Sequence, residues 1–144
     1  MKRTILILSI LLSMDTIYAQ QQSNANMKTA LLLIDIQNDY FENGTMALVG
    51  ADKASENTKL ILERYRANHQ TIIHIQQIAT SPNTTFFRPN TTGAEINNNV
   101  KPLNNEKVIV KHYPNSFRDT ELTDYLKSKN ISNLVICGMM THMC

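Results

Sequence analysis

The chain has 144 residues, of which 42% are hydrophobic, and this length and composition are typical of one globular domain. Its formal net charge is only +2, it has no tryptophan, and its basic residues form no cluster, so a nucleic-acid partner has no support. The composition favours a small-molecule partner.

Residues 1–19 have the pattern of a signal peptide. Two basic residues precede an apolar run, residues 5–14, that is shorter than the ~20 residues needed to span a bilayer, and a short polar segment ends at Ala19. We predict cleavage after Ala19, export to the periplasm or the medium, and no membrane attachment of the mature chain. Residues 20–27 are polar and predict a disordered leader. The alternative is translation from Met27, which would give a cytoplasmic protein.

Four short apolar runs in residues 28–144 predict the strands of one domain. These runs are residues 30–34, 71–75, 107–110 and 134–137, and each is typical of a buried strand. Amphipathic segments alternate with them. The alternation indicates an α/β fold of three layers, in which a mostly parallel, Rossmann-like sheet has helices on both faces.

Two helices are predicted between these strands. The first extends from about Asp52 to Asn68, and the second is capped by Asp119 or Thr120 and ends near Lys129. Their buried positions are expected to be Ala54, Ile61, Leu62, Tyr65, Leu122, Tyr125 and Leu126, with Asn130 in the left-handed conformation after the second helix.

The segment of residues 78–106 is rich in Asn and Thr and has no strong period. Long irregular segments in compact domains often form pocket walls or lids, and Phe86, Phe87 and Arg88 are candidates to line such a pocket. The competing interpretation is that the aromatic pair packs this loop onto the core.

Three reactive side chains are expected at one edge of the sheet. Asp35 and Lys111 directly follow predicted strands, and Cys144 lies in the turn after the last strand. In a parallel sheet all strand C-termini point to the same edge, where ligands bind. The three groups should therefore meet there.

Cys144 is the candidate nucleophile. Thr141 can cap a helix that begins after the break at Gly138, which would place Cys144 in the first helical turn. The helix dipole there can lower a thiol pKa from ~8.5 to roughly 3.5–7.5. The alternative is that Cys144 is a small apolar residue packed under the sheet. Cys137 is interpreted as a packing residue, and a disulfide between the two cysteines is not expected.

Asp35 and Lys111 supply the other two functions that a reactive thiol requires. A partly desolvated carboxylate at the end of a buried strand can accept the thiol proton, and a nearby ammonium can hold both anions in place. Taken singly, Asp35 could be a turn former and Lys111 a solvated surface charge. Together with Cys144 they predict acyl transfer through a thioester, followed by hydrolysis.

Three segments of the chain resemble the signature segments of the isochorismatase-like cysteine hydrolases. They are Leu33–Phe41 (LIDIQNDYF), Val110–Phe117 (VKHYPNSF) and Cys137–Cys144 (CGMMTHMC). The resemblance extends over about residues 28–144, and the three segments occur in the family's order.

This resemblance implies a triad of Asp35 as base, Lys111 as electrostatic partner and Cys144 as nucleophile. It also implies a non-proline cis peptide at Met139–Met140, in the turn that would form an oxyanion hole. Substrates of the family include small amides, carbamoyl and ureido compounds, and the vinyl ether of isochorismate. Family members commonly self-associate, which implies a homo-oligomer.

The resemblance does not imply a metal here. Nicotinamidase-type members add an Asp/His site near the pocket, but residues 78–90 contain no Asp, Glu, His or Cys, and Asp52 has no His close behind it. We therefore predict no metal and no other cofactor. His112 and His142 are expected to have structural, hydrogen-bonded roles, and the alternative is contact with the substrate. The aromatic residues expected to shape the pocket are Tyr40, Phe41, Phe87, Tyr113 and Phe117, and the competing interpretation is that they pack in the core.

Relatives in this family continue past the nucleophile, whereas the sequence here stops at Cys144. A terminal carboxylate on the nucleophile would add a negative charge, and a single helical turn is hard to nucleate. We therefore expect a fragment of a longer reading frame. The alternative function is a decayed, non-catalytic domain that keeps a small-molecule pocket.

Overall fold

The computed structural model describes residues 28–144, so the predicted signal peptide and leader lie outside the described residues. The strands are β1 (Lys28–Ile34), β2 (Thr71–Gln77), β3 (Lys107–Lys111) and β4 (Ile131–Gly138), and the helices are α1 (Ala51–Ala67) and α2 (Leu122–Ser128). All neighbouring strands pair in parallel, in the order β3-β2-β1-β4. The predicted α/β fold with a parallel sheet is confirmed.

Strand β1 is the centre of the sheet and is covered on both faces. Its alternate side chains Leu31 and Leu33 pack in a cluster with Leu62 of α1. Leu32 points to the other face and packs in a cluster with Leu122 of α2. Helices therefore cover both faces, and the uninterrupted apolar sequence of β1 follows from this double burial.

The buried face of α1 differs from the predicted one. The buried positions are Ala51, Ser55, Thr58, Leu62 and Tyr65, which recur every three or four residues. Ala54 and Ile61, which were expected in the core, are exposed. Two small hydroxyl residues occupy the buried face because their hydroxyls donate to carbonyls of the helix itself, at 2.8 Å and 2.9 Å.

Helix α2 is shorter than predicted and buries less. Its first residue, Leu122, is fully buried, and the Leu122 N–H donates to the Thr120 hydroxyl at 3.4 Å. Tyr125 and Leu126 are only partly buried. Asn130 has the predicted left-handed conformation, with φ 55°. In the part of the chain described here, no helix is long and apolar enough to cross a membrane.

Strands β3 and β4 are the two edges of the described sheet. In β4, Val135 and Ile136 are 38% and 59% exposed, so the prediction of a buried strand at residues 134–137 is wrong. In β3, Val108 and Val110 are 37% and 46% exposed. The apolar sequence of an edge strand does not reveal whether a neighbour covers it.

The long segment between β2 and β3 is tied to the loop after β1 by Gln37, which is fully buried. The Gln37 side chain donates to the carbonyls of Gln77 and Ala94 at 2.9 Å and 2.7 Å, and its oxygen accepts from the Gln77 N–H at 2.8 Å. These side-chain bonds add to backbone pairing between the two loops, in which the Asn38 N–H donates to the Glu95 carbonyl at 3.0 Å and the Asn97 N–H donates to the Ile36 carbonyl at 2.9 Å.

A partly buried charged cluster lies at the opposite end of the sheet. Arg66 of α1 donates two hydrogen bonds to the Glu106 carboxylate at 2.7 Å and 2.8 Å, and His74 of β2 lies 2.9 Å from the same group. Burial by itself raises the pKa of Glu106, but the hydrogen bonds from Arg66, the Leu103 N–H and His74 outweigh it and lower the pKa to about 2.

We predict that Glu106→Gln removes a pH-dependent part of the stability. Because the folded pKa of Glu106 lies below its ordinary value of 4.5, its contribution is present above pH 4.5 and is lost as the pH falls towards 2. Its size is about 3 kcal/mol. Urea unfolding between pH 7 and pH 2.5 should show a flatter pH dependence for this variant. The exposed Glu56→Gln is the matched control, and an unchanged slope in Glu106→Gln would contradict the prediction.

Candidate active site

The candidate site lies at the C-terminal edge of the sheet, where the loops after the strands begin. Asp35 is the first residue after β1, and its N–H donates to the Ile75 carbonyl of β2 at 3.1 Å. Lys111 ends β3, and Cys144 follows the turn after β4. The topology therefore brings three distant sequence positions to one edge.

An ion pair forms the base of the site. Lys111 Nζ lies 2.8 Å from Asp35 Oδ2, and both side chains have 0% exposure. The same ammonium donates to the Pro114 carbonyl at 2.7 Å. Lys111 is thus not a solvated surface charge, as one interpretation of the sequence had it. It lies on the same side of β3 as Ile109, facing the core.

The turn that carries Cys144 starts one residue earlier than predicted. The carbonyl of Met140 accepts from the N–H groups of Met143 and Cys144 at 3.1 Å and 3.2 Å, so Met140, rather than Thr141, opens the turn. The Met139–Met140 peptide is cis, as the resemblance implies. Just before it, a Cβ at Gly138 would overlap the carbonyl oxygen of Ile34, so only glycine allows this close approach.

The pKa of the Cys144 thiol is shifted in the direction opposite to the predicted one. Burial raises it most, and a hydrogen bond to Asp35 and the charge of Asp35 add to this, giving a pKa of about 11. The charge of Lys111 and a backbone hydrogen bond from Met140 oppose the shift. The resting sulfur is therefore a neutral thiol.

The pKa of Asp35 is also raised. Burial is the largest cause, and the ion pair with Lys111 and the hydrogen bond with Cys144 act against it. A carboxyl group with a raised pKa next to a neutral thiol is suited to receive the thiol proton. The pair has the arrangement of a base and its nucleophile.

A cavity of about 260 Å³ opens beside the Cys144 side chain. The residues in its walls are Tyr40, Met46, Gln77, Ala79, Thr80, Ser81, Thr84, Phe86, Phe87, His112, Pro114, Met140, Met143 and Cys144. Within the described residues, the buried side-chain oxygen of Gln77 has no hydrogen-bond partner. Sequence reasoning missed Gln77, although its position at the C-terminal end of a predicted central strand is a signal that could have found it.

Two of the five aromatic residues expected to shape the pocket, Tyr40 and Phe87, line this cavity. Their rings meet in a T-shaped arrangement with a centroid distance of 4.9 Å. Phe41 lies outside the cavity and is buried in the core cluster that packs against α1. Tyr113 stacks against Arg118, whose guanidinium lies 3.8 Å from the ring centroid. Phe117 is 46% exposed and outside the cavity walls.

The two histidines near the site differ in position. His112 lies in the cavity wall, and its Nδ1 is 2.8 Å from the Ile78 carbonyl, which agrees with a hydrogen-bonded structural role. His142 lies on another surface of the Cys144 turn, with Leu48 and Gly138. Among residues 28–144, no group of three or more His, Cys, Asp or Glu side chains is placed to hold a metal ion.

A larger cavity, of about 470 Å³, lies at the opposite edge of the sheet. Arg66, Glu106 and Lys129 are among its lining residues, and no cysteine or serine lines it. The smaller cavity, which has a thiol next to a buried carboxylate, is therefore the candidate active site.

The fold and the site together define an α/β protein with a thiol, a carboxyl and an ammonium group at the C-terminal edge of a parallel sheet. The chain belongs to the isochorismatase family: the family described as the Isochorismatase domain matches residues 29–144.

Sequence and structural similarity to individual proteins supports the family assignment. The chain is 50% identical over 118 residues to the uncharacterized isochorismatase family protein YddQ of Bacillus subtilis, covering 82% of this chain and 66% of YddQ. It is 33% identical over 115 residues to a streptothricin hydrolase of Streptomyces noursei, covering 80% and 44%. A crystal structure of a protein from Oleispira antarctica, assigned as an isochorismatase hydrolase, has a TM-score of 0.76 at 42% identity, covering 81% and 63%. The chain thus spans less than two thirds of the length of these relatives.

We predict that Lys111→Met destabilises the fold strongly. The substitution leaves the Asp35 carboxyl buried without its counter-ion, and breaking a buried pair in this way costs about 3–5 kcal/mol. The double variant Asp35→Asn/Lys111→Met removes both charges and should recover most of the loss. Urea unfolding at pH 7 measures both. Equal stability of the single and double variants would contradict the prediction.

Proposed function

We propose that the protein is a cysteine hydrolase that cleaves a small amide, carbamoyl or related C–N bond. Asp35 acts as the base and Cys144 as the nucleophile. The Lys111 ammonium stabilises the negative charge of the carboxylate and of the thiolate. The observation that carries this proposal is the fully buried Lys111–Asp35 ion pair, with the Cys144 thiol on the wall of a cavity and under the electrostatic influence of both charges.

In the first half of the reaction, Asp35 takes the proton of the Cys144 thiol as the sulfur attacks the substrate carbonyl carbon. The negative charge moves to the carbonyl oxygen, where backbone N–H groups of the turn can bind it. The C–N bond then breaks, and the leaving nitrogen takes the proton from Asp35. This leaves a thioester on Cys144.

In the second half, water replaces the amine. Asp35 removes a proton from the water as its oxygen attacks the thioester carbon, and the sulfur leaves and recovers the proton. The product is the carboxylic or carbamic acid. Lys111 stays protonated throughout, so that the site never holds two uncompensated anions.

The size and lining of the cavity support a small substrate. Its volume of about 260 Å³ is slightly below the usual range of ligand pockets, roughly 300–1,000 Å³. The unpartnered oxygen of Gln77 can accept a hydrogen bond from a substrate N–H, such as that of an amide or a carbamoyl group. The relationship to streptothricin hydrolase supports a hydrolase in general, at 33% identity.

A panel of small primary amides, carbamoyl amino acids and ureido compounds tests this function by release of ammonia. We expect turnover of at least one class, and Cys144→Ala should lower it by a factor of 10³ or more because the thioester can no longer form. Cys137→Ala is the matched control and should keep the activity. Release of ammonia that survives Cys144→Ala would contradict the mechanism, whereas tight binding without turnover would indicate the non-catalytic alternative.

We predict that Asp35→Asn separates thiol reactivity from turnover. Asp35 raises the pKa of Cys144 and Lys111 lowers it, so the variant should have a lower thiol pKa and more thiolate at neutral pH. Each unit of pKa increases the thiolate fraction about tenfold. Alkylation of Cys144 by iodoacetamide at pH 7.5 should therefore become faster, while hydrolysis is lost with the base. A variant that is slower in both reactions would show that Asp35 does not raise the thiol pKa.

A further inference from the structure

Asp39 is a buried carboxylate that the proposed mechanism does not use. It follows β1 by five positions, is 4% exposed, and lies outside the walls of the Cys144 cavity, although it lines a separate cavity of about 390 Å³. A buried carboxylate requires hydrogen-bond partners, and those of Asp39 come from segments far apart in the sequence.

One oxygen of Asp39 fixes the loop after β1. Asp39 Oδ1 accepts from the N–H and the hydroxyl of Thr45, at 3.2 Å and 2.9 Å. The backbone of this loop also carries Tyr40 and Met46, both in the cavity wall, and the Met46 N–H donates to the Asp39 carbonyl at 2.9 Å. Asp39 therefore fixes the backbone of the loop that forms one side of the cavity, although its own side chain does not line that cavity.

The other oxygen holds the opposite side. Asp39 Oδ2 accepts from the Phe87 N–H, 48 positions away in the sequence. Phe87 has φ 53°, a conformation that L-residues rarely adopt, and its carbonyl accepts from the Ala79 N–H at 2.8 Å. The wall segment, defined as residues 79–87, supplies six of the cavity residues: Ala79, Thr80, Ser81, Thr84, Phe86 and Phe87.

The third contact of Asp39 is with Gly93. A Cβ atom at this position would overlap the Asp39 carboxylate, so the backbone of the next turn packs directly on the charged group. The carboxylate is thus enclosed by three chain segments, two of which form the cavity. The turn that contains Gly93 is also joined to the loop after β1 by the Asn38 side chain, which donates to the Thr92 carbonyl at 2.9 Å, whereas the wall segment is joined to that loop through the bond from the Phe87 N–H to Asp39.

We infer that Asp39 is a positioning residue that fixes the wall segment against the loop after β1 and so sets the size of molecule that can reach Cys144. Its loss frees the Phe87 N–H and lets the wall segment move outward, which admits larger reagents without changing the thiol. The inference concerns access to the cavity and does not depend on the proposed hydrolase function.

The test compares two thiol reagents of different size, iodoacetamide and fluorescein maleimide, on the wild type and on Asp39→Asn. This substitution keeps the shape of the side chain but converts one accepting oxygen into an NH₂ group. Both cysteines fall in one tryptic peptide, residues 130–144, and fragment ions tell modification of Cys144 from modification of Cys137. Asp52→Asn, an exposed carboxylate in the first turn of α1, is the matched control for loss of charge.

We expect fluorescein maleimide to modify Cys144 at least tenfold faster in Asp39→Asn, with the iodoacetamide rate changed less than threefold. Cys137, which packs in the core cluster beneath α1, should keep its rates, and Asp52→Asn should behave as the wild type. Thr45→Val, which removes one of the two bonds to Oδ1, should shift the ratio of the two rates in the same direction but less.

Two results would overturn the inference. An unchanged ratio of the two rates in Asp39→Asn would show that the wall segment does not need this carboxylate. A parallel rise at Cys137 and Cys144 with both reagents would show that Asp39 only stabilises the whole fold. Because alkylation needs no turnover, either result leaves the hydrolase proposal to be judged on ammonia release alone.

Discussion

The contact on which the site depends is the ion pair between Lys111 and Asp35, which has no access to water. A buried pair of charges is rarely a source of net stability, since the cost of desolvation offsets most of the attraction. Here it sets the properties of the third group. Asp35 keeps the thiol of Cys144 neutral, and Lys111 limits how far that effect goes. Burial is the largest cause of the raised thiol pKa, and two residues far from Cys144 in sequence modify it in opposite directions.

Much of the fold could be predicted from the sequence because β1 lies at its centre. A central strand is covered on both faces, so its apolar run is unbroken and its end is marked by the charge of Asp35. The edge strand β4 has a similar apolar sequence, yet Ile136 is more than half exposed. Sequence alone gives the type of an element, whereas its burial depends on neighbours. The buried hydroxyls of Ser55 and Thr58 were missed for a related reason, since their own helix satisfies them.

The site was predictable in its members but not in its electrostatics. The positions of the strand ends and the parallel topology were sufficient to predict that Asp35, Lys111 and Cys144 meet at one edge of the sheet. The direction of the Cys144 pKa was predicted wrongly, because the helix dipole was weighed without the burial of the thiol and the carboxylate beside it. Gln77 was overlooked because an uncharged residue at a strand end carries little signal in a single sequence. Its missing partner becomes visible only in three dimensions.

The outward-facing valines of β3 and the open flank of β4 have a practical consequence for anyone handling this polypeptide. A flat strand with free backbone donors and acceptors and apolar side chains is a template on which another extended segment can build. Val110 and Ile136 stand at opposite margins of the same four-stranded layer, so growth could proceed from either side. We therefore expect residues 28–144, in concentrated preparations, to associate through these two edge strands.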